Sequence, residues 1–332
     1  MTDLPHNSLD DTVGWMRAAG EPTRLRLLAL LDKLDLPVSD LISLLDQSQP
    51  RISRHLKLLV EAGLAERFQE GAWAYFRTVD HGPARRFLDG VLKPIAEDDD
   101  VIAQDEARLD DIRAKRASRA ADYFAANAED WNKIRSLHIA EDQVEAAMLE
   151  MGLSAQPASL LDLGTGTGRI LQLFAPHVDH GVGIDTSRDM LSVARSTLAE
   201  DSISHLQIRH GDVYKLADGE RYDLIVLHQV LHFLEDPSLA LRRAKRRLTM
   251  GGRLLIVDFA PHEFEFLREK HAHRRLGMAT PQIKRWLGLA GLELIDERML
   301  KPSSGDDTAL TVALWLAAHA DNEGFEDGDQ YP

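Results

Sequence analysis

Apolar residues recur along this chain with two different periods. Between residues 12 and 93 the spacing is mostly helical. Leu25, Leu27, Leu28, Leu30, Leu31 and Leu34 form a strongly apolar helix behind Glu21-Pro22-Thr23, where Pro22 suits a first turn and Thr23 a cap. Pro37 interrupts, and Ser39 is placed to cap a short helix through Leu45. Ser48 then caps a third helix, with Pro50 in its first turn; Ile52, Leu56, Leu59 and Val60 form the apolar stripe, and Gly63 ends it. Leu64–Phe68 and Trp73–Arg77 alternate around a glycine-containing turn, which predicts a β-hairpin. Helical spacing returns over 83–93 and across the alanine-rich, charged stretch 101–130.

From residue 158 strands and helices alternate. Ser159–Leu163, Gly181–Ile184, Leu206–Arg209, Asp223–Leu227 and Gly252–Asp258 read as strands, with helices at Arg169–Ala175, Arg188–Leu198 and Ser238–Leu248. A helix over Pro281–Ala290 and strands Leu292–Leu300 and Ala309–Leu316 follow. Repeated strand–helix units imply an α/β fold with a mainly parallel sheet and helices on both faces. The last two strands are separated by only 301–308 and should pair antiparallel.

The chain has 332 residues, which suggests two domains, and no cysteine. The absence of thiols excludes disulfides, thiolate zinc sites and cysteine nucleophiles. The longest apolar run, Ala309–Ala320, is broken by Thr311 and His319 and is too short to span a bilayer, so the expectation is a soluble, cytoplasmic protein with no membrane partner. The net charge of −15 argues against nucleic acid until its distribution is considered. Residues 94–332 hold 27 basic and 41 acidic side chains, whereas 48–93 hold 8 basic and 5 acidic. A locally positive face near 50–86 therefore remains available.

Helix, short turn, helix with a basic first half, then hairpin, is the order of a winged helix-turn-helix. Gln49, Arg51, Ser53, Arg54, His55 and Lys57 are candidates to reach base edges and phosphates, and Arg67 and Arg77 flank the wing. The alternative is a small helical domain with a solvated basic face. Arg24-Leu-Arg-Leu-Leu-Ala-Leu-Leu31, Ser48–Leu64, Glu70-Gly71 and Tyr75-Phe76-Arg77 closely resemble the ArsR/SmtB family of dimeric repressors, over about residues 12–92. The resemblance implies a homodimer built on the first and last helices of this domain and bound to a palindromic DNA operator. Where many members carry Cys-Val-Cys, this chain has Leu36-Pro37-Val38-Ser39-Asp40, so sensing of thiophilic metals is not expected and no metal site is assigned.

Leu160-Leu-Asp-Leu-Gly-Thr-Gly-Thr-Gly-Arg169 leaves a strand and opens a helix. Its glycines allow a tight turn and close approach of a ligand to the backbone. Asp185 ends the second strand, where a carboxylate can accept ribose hydroxyls. Gly211-Asp212-Val213 follows the third, where one can accept from an adenine amino group. Residues ~120–318 look like a class I S-adenosyl-methionine-dependent methyltransferase. The resemblance assigns Asp162, Gly164, Thr165, Gly166 and Gly168 to the methionine part, Asp185 to the ribose, and Asp212 and Val213 to the adenine. It places Met190 near the adenine and His228 in the cofactor site, and implies strand order 3-2-1-4-5-7-6. Alternatives are a nicotinamide-binding domain or an empty α/β scaffold. Tyr123, Trp131 and Arg135 either cover the cofactor or pack a connector helix on the sheet.

No catalytic residue is assigned; His228 and His232 are the weak candidates for a base. His262 with Glu263, and His271-Ala-His-Arg-Arg275, could hold an anion or a metal, or His273–Arg275 could be a solvated helix face. The lack of cysteine argues against arsenite methylation. Leu227-His-Gln-Val after the fourth strand argues against base methylation of DNA. The expected organisation is a DNA-binding and dimerisation domain over 1–93, an acidic helical linker over 94–120, a methyltransferase-like domain over 121–318 and a disordered acidic tail over 319–332. Two functions fit. One is an ArsR-type transcriptional regulator, expected to repress, whose second domain binds S-adenosyl-methionine or S-adenosyl-homocysteine and modulates operator binding. The other is an active small-molecule methyltransferase with an autoregulatory DNA-binding domain.

Overall fold

The computed structural model describes residues 8–70, 73–95, 99–128, 141–216, 219–302 and 310–320. The chain divides into two units at Ser118/Arg119.

In the first unit, α1 (Leu9–Ala19) begins at Ser8, whose hydroxyl accepts from the Asp11 N–H at 3.0 Å. Helix α2 (Pro22–Lys33) is capped by the Glu21 carboxylate, which accepts from the Arg24 N–H at 2.9 Å. Thr23, expected as the cap, lies inside the first turn and is buried. Residues Leu36–Pro37 form a two-residue strand, β1, against the wing. Helix α3 (Val38–Leu45) starts from Pro37, so Ser39 is a first-turn residue and not its cap. Asp46, at φ +51°, turns the chain into α4 (Gln49–Glu61), with Ser48 at the N-cap. Strands β2 (Ala65–Glu70) and β3 (Trp73–Thr78) form the expected hairpin, and the three-stranded sheet runs β1-β3-β2. Its turn, 71–72, lies outside the described residues. Helix α5 (Gly82–Leu92) follows. The leucines of α2, α3 and α4 form one core with Leu64, Phe76 and Leu88.

The stretch expected as an acidic helical linker is helical over residues 100–127 and also packs on the first unit. Helix α6 (Asp100–Asn127) contributes Leu109 and Ile112 to that core. Asp105, 2% exposed, accepts two hydrogen bonds from the Arg26 guanidinium of α2, at 2.7 and 2.6 Å. Arg108 donates to the Leu44 carbonyl at 2.8 Å, and Lys33 pairs with Glu106. Four polar and two apolar contacts thus fold residues 105–112 onto the helix-turn-helix.

The second unit is a seven-stranded α/β sheet. Helix α7 (Glu141–Gly152) precedes β4 (Ser159–Leu163), α8 (Arg169–Phe174), β5 (His180–Asp185), α9 (Arg188–Glu200), β6 (Leu206–His210) and β7 (Tyr222–His228). Then come α10 (Pro237–Arg246), β8 (Leu248–Phe259), α11 (Phe266–Lys270), α12 (Thr280–Leu289), β9 (Leu292–Leu300) and β10 (Val312–His319). The order is β6-β5-β4-β7-β8-β10-β9, which is 3-2-1-4-5-7-6 counted within the unit. The first five strands are parallel, and β10 runs antiparallel to both β8 and β9. Strand β4 is buried along its whole length, as a central parallel strand covered on both faces must be. One apolar core joins α7 and α8 to one face; another joins α10 and α12 to the opposite face. No helix among the described residues is long and apolar enough to cross a membrane.

Candidate functional site

The reader face of the first unit is built by α4. Its stripe Ile52, Leu56 and Leu59 is buried, which turns Gln49, Arg51, Ser53, Arg54 and Lys57 outward to solvent. Two other candidates are held differently. His55 packs inward, 13% exposed, with Nδ1 3.5 Å from the Glu21 carboxylate. Its pKa lies below the usual histidine value because burial disfavours the cation; Arg24, Arg51 and Arg54 push the same way and Glu21 opposes them. Arg77 pairs with Glu66 at 2.8 Å and lies over the Phe68 ring at 4.9 Å, so it braces the wing sheet. Arg67 is exposed on β2.

In the second unit the carboxyl ends of β4, β5, β6 and β7 converge. Gly164, Gly166 and Gly168 sit at φ +79°, +53° and +83°, a run of left-handed backbone that side chains with Cβ resist. The Gly164 and Thr165 N–H groups donate to the Ile184 carbonyl at 2.8 and 3.0 Å. Asp185 closes the loop: Oδ2 accepts from the Gly166 N–H at 2.9 Å and Oδ1 from the Ser187 N–H at 2.8 Å. Burial raises its pKa, against the lowering effect of those N–H bonds. A carboxylate has about four acceptor sites, and the backbone N–H groups of Ser187, Gly166 and Thr186 do not fill them all, which leaves room for a hydroxyl donor. Ser187 caps α9 and anchors Met190, which is buried. Asp212 accepts from the Tyr214 N–H at 2.9 Å and caps the short turn Val213–Lys215. Asp162 is fully buried under the loop. The backbone left open by glycine, a carboxylate at the end of β5 and another after β6 fit an adenosyl cofactor in their donor chemistry.

The acceptor side is shaped by residues after β7 and β8. A Cβ on Gly164 would lie 2.4 Å from Cγ2 of Val230, so segment 228–232 presses directly on the glycine loop. Gln229 makes the bend at φ +54°. His228 is half-buried at the end of β7. His232, 1% exposed, has its Nδ1 2.7 Å from Oδ1 of Asp258, and its N–H donates to Oδ2 at 3.2 Å. Asp258 is fully buried and was not singled out from the sequence; its signal is a carboxylate ending the apolar run Leu254–Val257.

Residues 271–275 form no helix and no solvated face. The Arg274 and Arg275 N–H groups donate to the His232 carbonyl at 2.9 and 3.2 Å. The Arg274 guanidinium pairs with Glu235 at 2.9 Å, and that of Arg275 is buried over Trp286. The His273 ring packs, tilted by 30°, against His232 at 4.1 Å between ring centres, and burial drives its pKa far down. Burial holds His262 at about 4. No group of three His, Asp or Glu side chains placed to hold a metal occurs among the described residues. Tyr123 shares a 2.8 Å hydrogen bond with His271; Trp131 and Arg135 lie outside the described residues.

Comparison with known proteins agrees with both halves. The profile of the bacterial regulatory protein arsR family matches residues 21–67, and that of a methyltransferase domain matches 156–293. The arsenical resistance operon repressor of Escherichia coli is 49% identical over 65 residues, covering 19% of this chain and 56% of that protein. The uncharacterized methyltransferase YcgJ of Bacillus subtilis is 28% identical over 148 residues, covering 42% of this chain and 55% of that protein. The chain thus spans little more than half the length of either relative. The N-methyltransferase NodS of Bradyrhizobium japonicum, solved with S-adenosyl-L-homocysteine, is 20% identical over 60% of this chain and 97% of that one, with a TM-score of 0.49. The chain carries an ArsR-family helix-turn-helix segment followed by a methyltransferase domain of Rossmann-like α/β fold.

Proposed function

We propose that this protein is an operator-binding regulator, repressing as a homodimer in the cytoplasm, whose methyltransferase unit binds S-adenosyl-methionine or S-adenosyl-homocysteine and thereby tunes DNA affinity. The observation that carries this reading is a pair of features in one chain. A solvent-facing Arg51/Arg54 helix stands in a chain without cysteine, and the glycine loop and Asp185 have the donors and acceptors an adenosyl cofactor would need. Leu9 and Met16 on α1 are 79% and 59% exposed, and Trp15 of α1 packs against Phe87 of α5 at 5.6 Å between ring centres. That apolar face suits a second copy, and a two-fold dimer calls for a palindromic operator.

Asp185 holds the ribose in this reading, Asp212 the adenine and the 164–168 backbone the methionine end. Coupling of ~1–3 kcal/mol between the sites would change operator affinity by about 5–150-fold. The test is operator titration with and without each cofactor form, on wild type and on Asp185→Asn. A cofactor response that survives loss of cofactor binding overturns the sensor.

The buried His232–Asp258 pair favours a second reading, an active small-molecule methyltransferase. Asp258 occupies Nδ1, which leaves Nε2 to take a proton from an acceptor O–H as its oxygen attacks the methyl carbon and the sulfonium C–S bond breaks. Methyl transfer to a metabolite extract that His232→Asn abolishes, with cofactor affinity retained, would establish it.

A further inference from the structure

The second unit is acidic, yet residues 237–257 contain six basic and no acidic side chains. The fold gathers most of them at one place. Arg221 precedes β7, Arg242, Arg243, Lys245 and Arg246 end α10, and Arg253 lies near the start of β8. Parallel strands put these segments at the amino-terminal edge of the sheet, opposite the cofactor cradle. No carboxylate pairs with Arg221, Arg242, Arg243, Lys245, Arg246 or Arg253 among the described residues. Arg242 donates to Ser238 and Arg253 to the Gly251 and Gly252 carbonyls at 3.0 and 3.2 Å, all neutral acceptors. Elsewhere in the unit, Arg169, Arg274 and Arg298 are matched by Glu145, Glu235 and Glu150.

The groups around the patch do not neutralise it. Glu220 is engaged by the Tyr222 hydroxyl at 2.8 Å and by His180 at 3.5 Å. Asp223 is engaged by Ser159 and Thr249. The His319 pKa lies below the usual histidine value through burial, with Lys245 and Arg221 adding to the effect against backbone hydrogen bonds with Leu248 and Thr249, which also marks those two cations as its neighbours. Cations in the last turn of a helix complement its dipole, and that accounts for Arg243, Lys245 and Arg246. It does not account for Arg221 or Arg253. Unpaired like charges repel, so a surface that collects them is suited to a partner that supplies many negative charges.

We propose that this edge is a second docking surface for duplex DNA, contacting backbone phosphates outside the stretch that α4 would read. The cations are spread over three chain segments, which suits several phosphates; a single phosphate needs donors converging on one point. A membrane surface would call for apolar groups among them, and within 237–257 the exposed large apolar side chain is Met250, at 75%. The proposal rests on the reading of the chain as a DNA-binding regulator only for the identity of the polyanion.

The test uses the full chain and duplexes it selects from a random pool, at about 20 and about 40 base pairs, with the triple variant Arg242→Gln/Lys245→Gln/Arg246→Gln. Each lost phosphate contact lowers the slope of log affinity against log salt by about 0.9. If two or three contacts are lost, then between about 50 and 200 mM salt wild type should lose about 10- to 40-fold more affinity on the long duplex than the variant. On the short duplex the two should match. The three-lysine variant, which keeps the charge, should behave as wild type, and cofactor affinity by calorimetry should be unchanged throughout. Equal slopes on the long duplex overturn the proposal. So does intact DNA binding by a variant that has lost binding to phosphatidylglycerol vesicles. A patch effect that persists on non-operator duplex, with no operator preference by the chain, supports this surface and removes the regulator reading instead.

Discussion

The contact between Gly164 and Val230 can be tested as a thermodynamic pair. Gly164→Ala places a Cβ 2.4 Å from Cγ2 and 3.0 Å from Cγ1 of Val230, at a backbone φ of +79°. Left-handed backbone costs a Cβ-bearing residue roughly 1–2 kcal/mol, and overpacking adds about 1–3 kcal/mol, for a total of about 2–5 kcal/mol. Val230→Ala removes both offending methyls but leaves the backbone cost in place. The double variant should therefore recover about 1–3 kcal/mol relative to the sum of the singles, because only the overpacking is relieved. Urea unfolding, followed by the buried Trp286 and Trp315 of the second unit, measures the four stabilities. Calorimetric titration with S-adenosyl-homocysteine on the same four proteins reports whether the loop has kept its shape; affinity should fall in Gly164→Ala and return in the double variant. Simple additivity of the two substitutions would refute the claim that segment 228–232 bears on the glycine loop.

Other outcomes follow from the same contacts. Arg51→Ala and Arg54→Ala should each weaken operator binding by ~1–3 kcal/mol if a base edge is read, checked by fluorescence anisotropy, whereas His55→Ala should act mainly through stability. Asp105→Asn should destabilise the first unit by about 1.5–3 kcal/mol, towards the lower figure because Arg26 is partly solvated, and Arg26→Gln should add little on that background, as thermal unfolding will show. Asp185→Asn should weaken both cofactor forms together, since they share a ribose, and calorimetry should find ligand-free DNA binding unaltered. His262 is held at about 4 against an ordinary 6.5, so the folded chain binds fewer protons than the unfolded one between those values. Stability is therefore complete above pH 6.5 and declines as pH falls towards 4; His262→Gln should flatten that decline in urea titrations.

What could be read from sequence and what could not separate by the range of the interaction. The alternation of strands and helices, the glycine loop and the outward face of α4 follow from local periodicity and from residues placed at strand ends, while the seven-strand order is implied only by the family resemblance. The two-residue strand Leu36–Pro37 has no periodicity to detect and exists only through its pairing with Tyr75 and Phe76. Thr23 and Glu21 are both plausible caps by position; which side chain meets the Arg24 N–H depends on the path of the chain out of α1. Nothing local distinguishes Asp105 from the other acids of its helix, because its partner, Arg26, is 79 positions away. His271–Arg275 has the composition of an exposed helix, yet it is folded against the turn at His232 by hydrogen bonds that no local pattern encodes. His232 was visible as a candidate; Asp258, which orients it, was hidden at the end of a strand.

Helix α6 also decides where this protein can be cut and rejoined. By family resemblance the reader stops near residue 93, and a construction that swaps its sensor would splice there. Such a splice would strip Leu109 from the core of the helix-turn-helix and leave the Arg26 guanidinium facing nothing. A graft made after Ser118 carries both with it. Modularity in this chain is therefore offset from the family boundary by about two dozen residues, and a recombination that respects sequence homology alone would deliver a weakened reader.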